Sequence, residues 1–138
     1  MQGTILIIDG VATNRIMLKV QLSAAYYQVA QTDGIAGLLS VARRCRPDLV
    51  LTAMSLPDGS AADVRAALAQ DAALANVPVI AITAQNDNSA RLAALAAGID
   101  DVLQQPLDDV ILQARIRSLI RARSTDEELH MQREAAQV

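Results

Sequence analysis

Thr4-Ile5-Leu6-Ile7-Ile8-Asp9 is apolar at every position from 5 to 8 and then stops on a carboxylate. Side chains alternate along an extended strand, so Ile5 and Ile7 face one way and Leu6 and Ile8 the other. A strand apolar on both faces needs cover on both, which is the condition of a central strand in a parallel sheet clad by helices. The run is far below the roughly 20 apolar residues that span a bilayer. It also follows no basic segment, so it is no signal peptide. Leu49-Val50-Leu51 with Thr52 and Ala53, and Pro78-Val79-Ile80-Ala81-Ile82-Thr83, repeat the pattern. Segments of helical period lie between these runs, and this alternation predicts an α/β domain with a parallel sheet.

Outward from the first strand, Ala12 to Ser23 predicts a helix that buries Ile16, Met17 and Val20 and points Arg15 and Lys19 outward. Tyr27-Gln28-Val29-Ala30 alternates and is short, as an edge strand should be. Asp33-Gly34 offers a cap or turn for a helix reaching about Arg44, which Arg46-Pro47-Asp48 breaks. After the third strand, Leu56-Pro57-Asp58-Gly59 is a turn. Ser60 and Asp63 form a capping box for an Ala-rich helix to about Gln70. Past the fourth strand, Asn86 to Asn88 is polar loop, and Ser89 to Ala97 is a helix closed by Gly98. Asp100-Asp101-Val102-Leu103 is a short fifth strand stopped by Pro106. Asp108 caps a final helix through Val110, Ile111, Ala114 and Leu119 to about Ala122. Ser124-Thr125-Asp126-Glu127 then reads as a second capping box. It opens a tail in which only Leu129, Met131, Ala135, Ala136 and Val138 are apolar, a stripe too weak to fold without something to pack against.

The 138 residues make one ordinary domain, and 52% hydrophobic content with two Tyr, no Trp and no Phe requires an aliphatic core. A net charge of −3 without blocks of like charge favours neither nucleic acid nor an anionic membrane. A single cysteine, Cys45, and a single histidine, His130, exclude an internal disulfide and a Cys/His metal cluster. A reducing cytoplasm is the expected location.

Ligands of an open doubly wound sheet bind beyond the carboxyl ends of its strands. Those ends are Asp9-Gly10, Ala53, Thr83-Ala84 and Gln104-Gln105-Pro106. Asp9-Gly10-Val11-Ala12-Thr13-Asn14 has one glycine and no Lys-Ser/Thr pair, which disfavours a dinucleotide or P-loop site. A flavin ring would lack both an aromatic side chain and a glycine-rich second loop to hold it.

With Ile5-Leu6-Ile7-Ile8-Asp9, Pro47-Asp48-Leu49-Val50-Leu51, Leu56-Pro57-Asp58, Val79-Ile80-Ala81-Ile82-Thr83-Ala84, Ala97-Gly98-Ile99-Asp100-Asp101 and Gln105-Pro106 in this order, the chain resembles a bacterial response-regulator receiver domain over residues 3–122. Val11-Ala12-Thr13-Asn14-Arg15 followed by Lys19 is similar to the first receiver of tandem-receiver diguanylate cyclases. The resemblance implies a flavodoxin-like, doubly wound, five-stranded parallel sheet of order 2-1-3-4-5 with five helices and a C-terminal helical extension. It divides the chain into a receiver-like domain, 1–123, and a helical linker or tail, 124–138. It also implies phosphorylation by a histidine kinase on a carboxylate after strand three, with Mg²⁺ held by two acidic residues after strand one. A Thr or Ser after strand four and a Lys after strand five stabilise the phosphoryl group.

Position by position, Asp9 keeps the first acid and Gly10 replaces the second. Ala53 fills the nucleophile slot, where a methyl group accepts nothing. Thr83 keeps its hydroxyl, Gln105 brings a neutral amide in place of the lysine, and the aromatic switch slot is Val102. Thr52 faces away from this pocket, and Ser55 lacks an activating base. Asp58 reads as a turn residue, Cys45 as a half-buried structural thiol, and the arginines of the second and last helices as solvated faces. Two readings of Thr83 and Gln105 stay open: a hydrogen-bonded repair across to Asp9, or an ordinary strand end.

The resulting expectation is a receiver-like module of two-component phosphorelay signalling that takes no aspartyl phosphate, binds Mg²⁺ weakly or not at all, uses no cofactor and is not itself an enzyme. It acts through protein contacts on the side formed by the fourth helix, fifth strand and fifth helix. Expected partners are a histidine kinase, a second receiver, an output domain or a second copy of the chain. The alternatives are an N-terminal regulatory fragment of a multidomain enzyme such as a diguanylate cyclase, or a pocket repurposed for a small ligand.

Overall fold

The computed structural model describes residues 2–136. In chain order the elements are β1 (Thr4–Ile8), α1 (Ala12–Ala24), β2 (Gln28–Thr32), α2 (Leu38–Cys45), β3 (Leu49–Ala53), a two-residue pair β4 (Ser55–Leu56) and β5 (Gly59–Ser60), α3 (Ala61–Ala69), β6 (Val79–Thr83), α4 (Asn88–Ala96), β7 (Asp101–Gln104) and α5 (Asp109–Ala136). Five parallel strands form the main sheet in the order β2-β1-β3-β6-β7. Counting only its members, this is 2-1-3-4-5, as expected, with β2 at an edge.

The alternation inside β1 divides the core in two. Leu6 and Ile8 join Val50, Ala81 and Val102 under α2, α3 and α4, where Leu38, Val64, Leu68 and Ala94 meet them. Ile5 and Ile7 join Leu49, Leu51, Ile80 and Ile82 under α1 and α5, where Leu18, Leu22, Leu112 and Ile116 meet them. All four apolar residues of β1 are fully buried, and each such side chain contributes about 1.5–3 kcal/mol. Asp48 Oδ2 accepts from the Thr4 N–H and Asp100 Oδ2 from the Val79 N–H, each at 2.8 Å, so two carboxylates satisfy the leading amides of β1 and β6.

The face of α1 differs from the expectation. Ile16, Met17 and Val20 are 60–64% exposed, whereas Leu18 and Leu22 are buried. The helix carries two apolar stripes, and its rotation is fixed at its first turn, where Asn14 and Arg15 bond Asp9 and bring Leu18 and Leu22 onto the sheet. Arg15 accordingly points inward. On α5, likewise, Leu112 and Ile116 pack while Val110 and Ile111 stay exposed, although Asp108 Oδ1 caps the helix by accepting from the Val110 and Ile111 N–H groups.

The start of α2 differs too. It begins at Leu38, after Gly37, and no side chain of its own caps it. Asp58, 22 and 23 residues away, accepts instead from the Ala36 and Ile35 N–H groups at 3.0 and 2.9 Å. A Cβ on Gly34 would lie 2.6 Å from Asp58 Oδ1, so the approach requires glycine there. The capping box of α3 forms as expected between Ser60 and Asp63. Asp87, read as polar loop, caps α4 through the Ala90 N–H, and Gly98 follows the helix with φ +99°.

No helix break occurs at Ser124: α5 runs unbroken to Ala136, about 42 Å at 1.5 Å per residue. Thr125 Oγ1 donates back to the Arg121 carbonyl at 3.1 Å, a bond made inside a continuing helix, where a cap would have accepted from N–H groups ahead of it. Val138, and the side chains of Met131, Ala135 and Ala136 counted in the tail's stripe, lie outside the described residues. Among the described residues no helix is long and apolar enough to cross a membrane.

The two amide bonds to Asp58 hold its carboxyl below the usual carboxylate range. A depressed folded value gives stability that is present above the unfolded pKa of about 3.9 and lost as pH falls through the folded one. Asp58→Asn is therefore expected to lower the melting temperature at neutral pH, and its gap from the parent should narrow as pH falls below the unfolded value of about 3.9. Melting curves across that range check this, and a gap independent of pH would contradict it.

Candidate functional site

Parallel strands deliver their carboxyl ends to one edge of the sheet. Here Asp9 and Gly10 follow β1, Ala53 ends β3, Thr83 ends β6 and Gln105 follows β7. Ala53 pairs in register with Ile82, and Thr83 with Gln104. The positions singled out in the sequence thus lie on neighbouring strand ends, while Val102 points into the core at 1% exposure and packs beneath α4.

Asp9 is 6% exposed and its carboxylate is engaged locally. Oδ1 accepts from the Val11 N–H at 2.8 Å and Oδ2 from the Asn14 amide at 3.2 Å. Its main-chain carbonyl accepts from Arg15 Nη1 at 2.6 Å. The repair suggested from Thr83 and Gln105 is not made. Thr83 Oγ1 accepts from the Gln85 N–H at 3.1 Å and donates to the Gln85 carbonyl at 3.4 Å, a turn of its own loop. Among the described residues Gln105 makes no hydrogen bond to Asp9, and its peptide bond to Pro106 is cis. The first turn of α1 therefore makes the bonds to Asp9 that one of the two open readings gave to Thr83 and Gln105. Arg15, expected to point outward, and Asn14 share the helical face of Leu18 and Leu22, and that i, i+3, i+4 spacing is the signal that places both beside the sheet.

Gly10 is more than a missing acid. A Cβ there would lie 2.7 Å from both Cδ and Cγ of Pro57, closer than carbon atoms pack. A side chain at position 10 would have to displace the proline ring from its present place.

Of the alternative acceptors, Thr52 is fully buried and donates to the Ala53 carbonyl at 3.0 Å. Ser55 is exposed on β4. Burial pushes the Cys45 thiol up, against weaker opposing effects that include Arg44, which leaves less reactive thiolate. Arg43 holds the Asp71 carboxyl below its ordinary range, helped by the Ala73 N–H. Beside the strand ends, Asp9 and Gln105 share the wall of a cleft of about 490 Å³ between α1 and the segment joining β7 to α5. Among the described residues, no group of three or more His, Cys, Asp or Glu side chains converges as metal ligands do.

Gly10→Ala should cost about 1–3 kcal/mol, the usual penalty of overpacking, and most of that cost should vanish in a Pro57→Ala background. A double-mutant cycle by urea unfolding measures this coupling; additive effects of the two substitutions would mean that the ring is not the obstacle.

The comparisons with known proteins agree with this architecture. The family model described as response regulator receiver domain matches residues 5–117. The response regulator PleD of Caulobacter vibrioides is 35% identical over 136 residues, covering 99% of this chain and 30% of that protein. The KDP operon transcriptional regulatory protein KdpE of Escherichia coli is 36% identical over 121 residues, covering 87% of this chain and 52% of that protein. The chain thus spans about a third to a half of these relatives. Among solved structures, a response regulator from Chloroflexus aurantiacus superposes with a TM-score of 0.81 at 27% identity, covering 86% of this chain and 98% of that one. With a matching family model over most of its length, the expected strand order and a family of strand-end positions on one edge, the chain belongs to the response regulator receiver domain family.

Proposed function

We propose that this receiver domain takes no aspartyl phosphate and works in two-component signalling through protein contacts alone. The observation that carries the reading is Ala53 at the end of β3, where the family's chemistry needs a carboxylate nucleophile. Two others support it. Gln105 supplies no cation, and Gly10 brings no second acid.

The residues present do not fit Mg²⁺. The ion is held by hard oxygen ligands in a near-octahedral shell. Asp9 is the single carboxylate after β1, one ligand where a shell of several hard oxygen donors is needed.

A partner surface is available on the side of α4, β7 and α5. Leu92 and Leu95 on α4, and Val110 and Ile111 on α5, are 38–76% exposed. These side chains offer apolar area to a kinase, a second receiver, an output domain or another copy of the chain. The Arg115–Asp101 ion pair, 3.1 Å, lies between α5 and β7; with Arg115 60% exposed it contributes little to stability and more to which partners fit.

A second reading is a regulatory segment of a multidomain enzyme such as a diguanylate cyclase. It rests on the similarity to PleD along almost the whole chain and on the continuation of α5 past the matched residues. Reading the source gene past codon 138 tests it, and a stop codon there would remove it.

The main reading predicts no phosphoryl incorporation when the protein is incubated with acetyl phosphate and Mg²⁺, as followed by intact-mass measurement and phosphate-affinity electrophoresis. Stable addition of a phosphoryl group to any residue would overturn it.

A further inference from the structure

We infer that the cleft beside Asp9 is a binding site for a small organic amine with an apolar body. The inference rests on the reading of this edge as emptied of phosphoryl chemistry, but it is argued from the cleft itself. At about 490 Å³ the cavity falls within the range of small-molecule sites, roughly 300–1,000 Å³. Met17 and Leu107 belong to its apolar wall, while Asp9, Asn14, Gln21 and Gln105 supply its polar atoms. This is the usual composition of a ligand site, an apolar surface with a few polar groups that fix orientation.

The charge selects the ligand. Among the described residues lining the cleft, Asp9 alone is charged, and the remaining polar groups are neutral amides. Arg15 bonds the main-chain carbonyl of Asp9 and does not line the cavity. A carboxylate has about four acceptor positions, and the Val11 and Asn14 donors account for two. An ammonium brings three donors and no acceptor. One satisfies the open capacity of Asp9, and the amide oxygens of Gln21 and Gln105 are available to the others. An anion finds a buried carboxylate and no cation, so phosphorylated metabolites and carboxylates are excluded. Glutamine at position 105 thus has two effects: it leaves a phosphoryl group without a counter-charge, and it leaves Asp9 without a competing ammonium from the protein. Met17, 61% exposed on α1, adds an adaptable apolar edge that accommodates different hydrocarbon shapes.

Three matched probes test the proposal on the 138-residue chain: phenethylamine, phenethyl alcohol and phenylacetate, compared by thermal shift and calorimetric titration. Binding to the native state alone raises the melting temperature with ligand concentration. The amine should do so, the alcohol should bind about tenfold more weakly or less, equivalent to about 1.4 kcal/mol, and phenylacetate should give no shift. Met17→Arg changes a side chain already mostly in solvent, so the fold should be retained by circular dichroism while the amine response is lost. Asp9→Asn should reduce the amine to the affinity of the alcohol. Equal responses to all three probes, no response to the amine, or an amine response that survives Met17→Arg would overturn the proposal. None of these outcomes bears on phosphoryl incorporation, so the two readings fail separately.

Discussion

The structure depends on the burial of β1 from both sides. Its four aliphatic residues alternate between two cores, and a slip of one residue would bring Thr4 or Asp9 into one of them. With β1 fixed between β2 and β3, the parallel register places each following strand end at the same edge. Asp9, Gly10, Ala53, Thr83 and Gln105 sit at that edge because the hydrophobic effect put them there, independently of what each residue can do. A receiver scaffold therefore remains intact when its reactive side chains change, since none of Gly10, Ala53 and Gln105 belongs to the fully buried core.

The strands were legible because two-sided apolar runs bounded by Asp, Pro and Gly have few other solutions in a short chain. The caps made by neighbours in sequence were legible too, as at Ser60 and Asp63 or at Asp108. Interactions between distant residues were not. The start of α2 is set by Asp58, whose two amide bonds cross more than twenty positions, while Asp33-Gly34 carried the stronger local signal. On α1 the pattern offered two apolar stripes of similar quality, and the choice fell to polar bonds between Asn14, Arg15 and Asp9 that hydrophobic spacing does not encode. At Ser124 a sound local motif lost to helix continuation, in which Thr125 turns its hydroxyl back along the helix. The membership of the strand-end positions was readable from the sequence; the direction in which Asp9 and Thr83 bond was not, because each has several partners in reach and only the fold ranks them.

The electrostatics of the edge follow from the same neighbours. Asp9 is held by a main-chain amide and a side-chain amide, both neutral. The Arg15 guanidinium bonds its main-chain carbonyl and not the carboxylate. Such an arrangement keeps an acid buried at modest cost and leaves its field directed at whatever enters the adjoining cleft.

The contact between Gly10 and Pro57 ties two strand ends together without shared chemistry: a Cβ at position 10 would meet Cδ and Cγ of the ring at 2.7 Å. A side chain introduced after β1 is felt first by the turn that follows β3, so each of these strand ends reports on the other through packing alone.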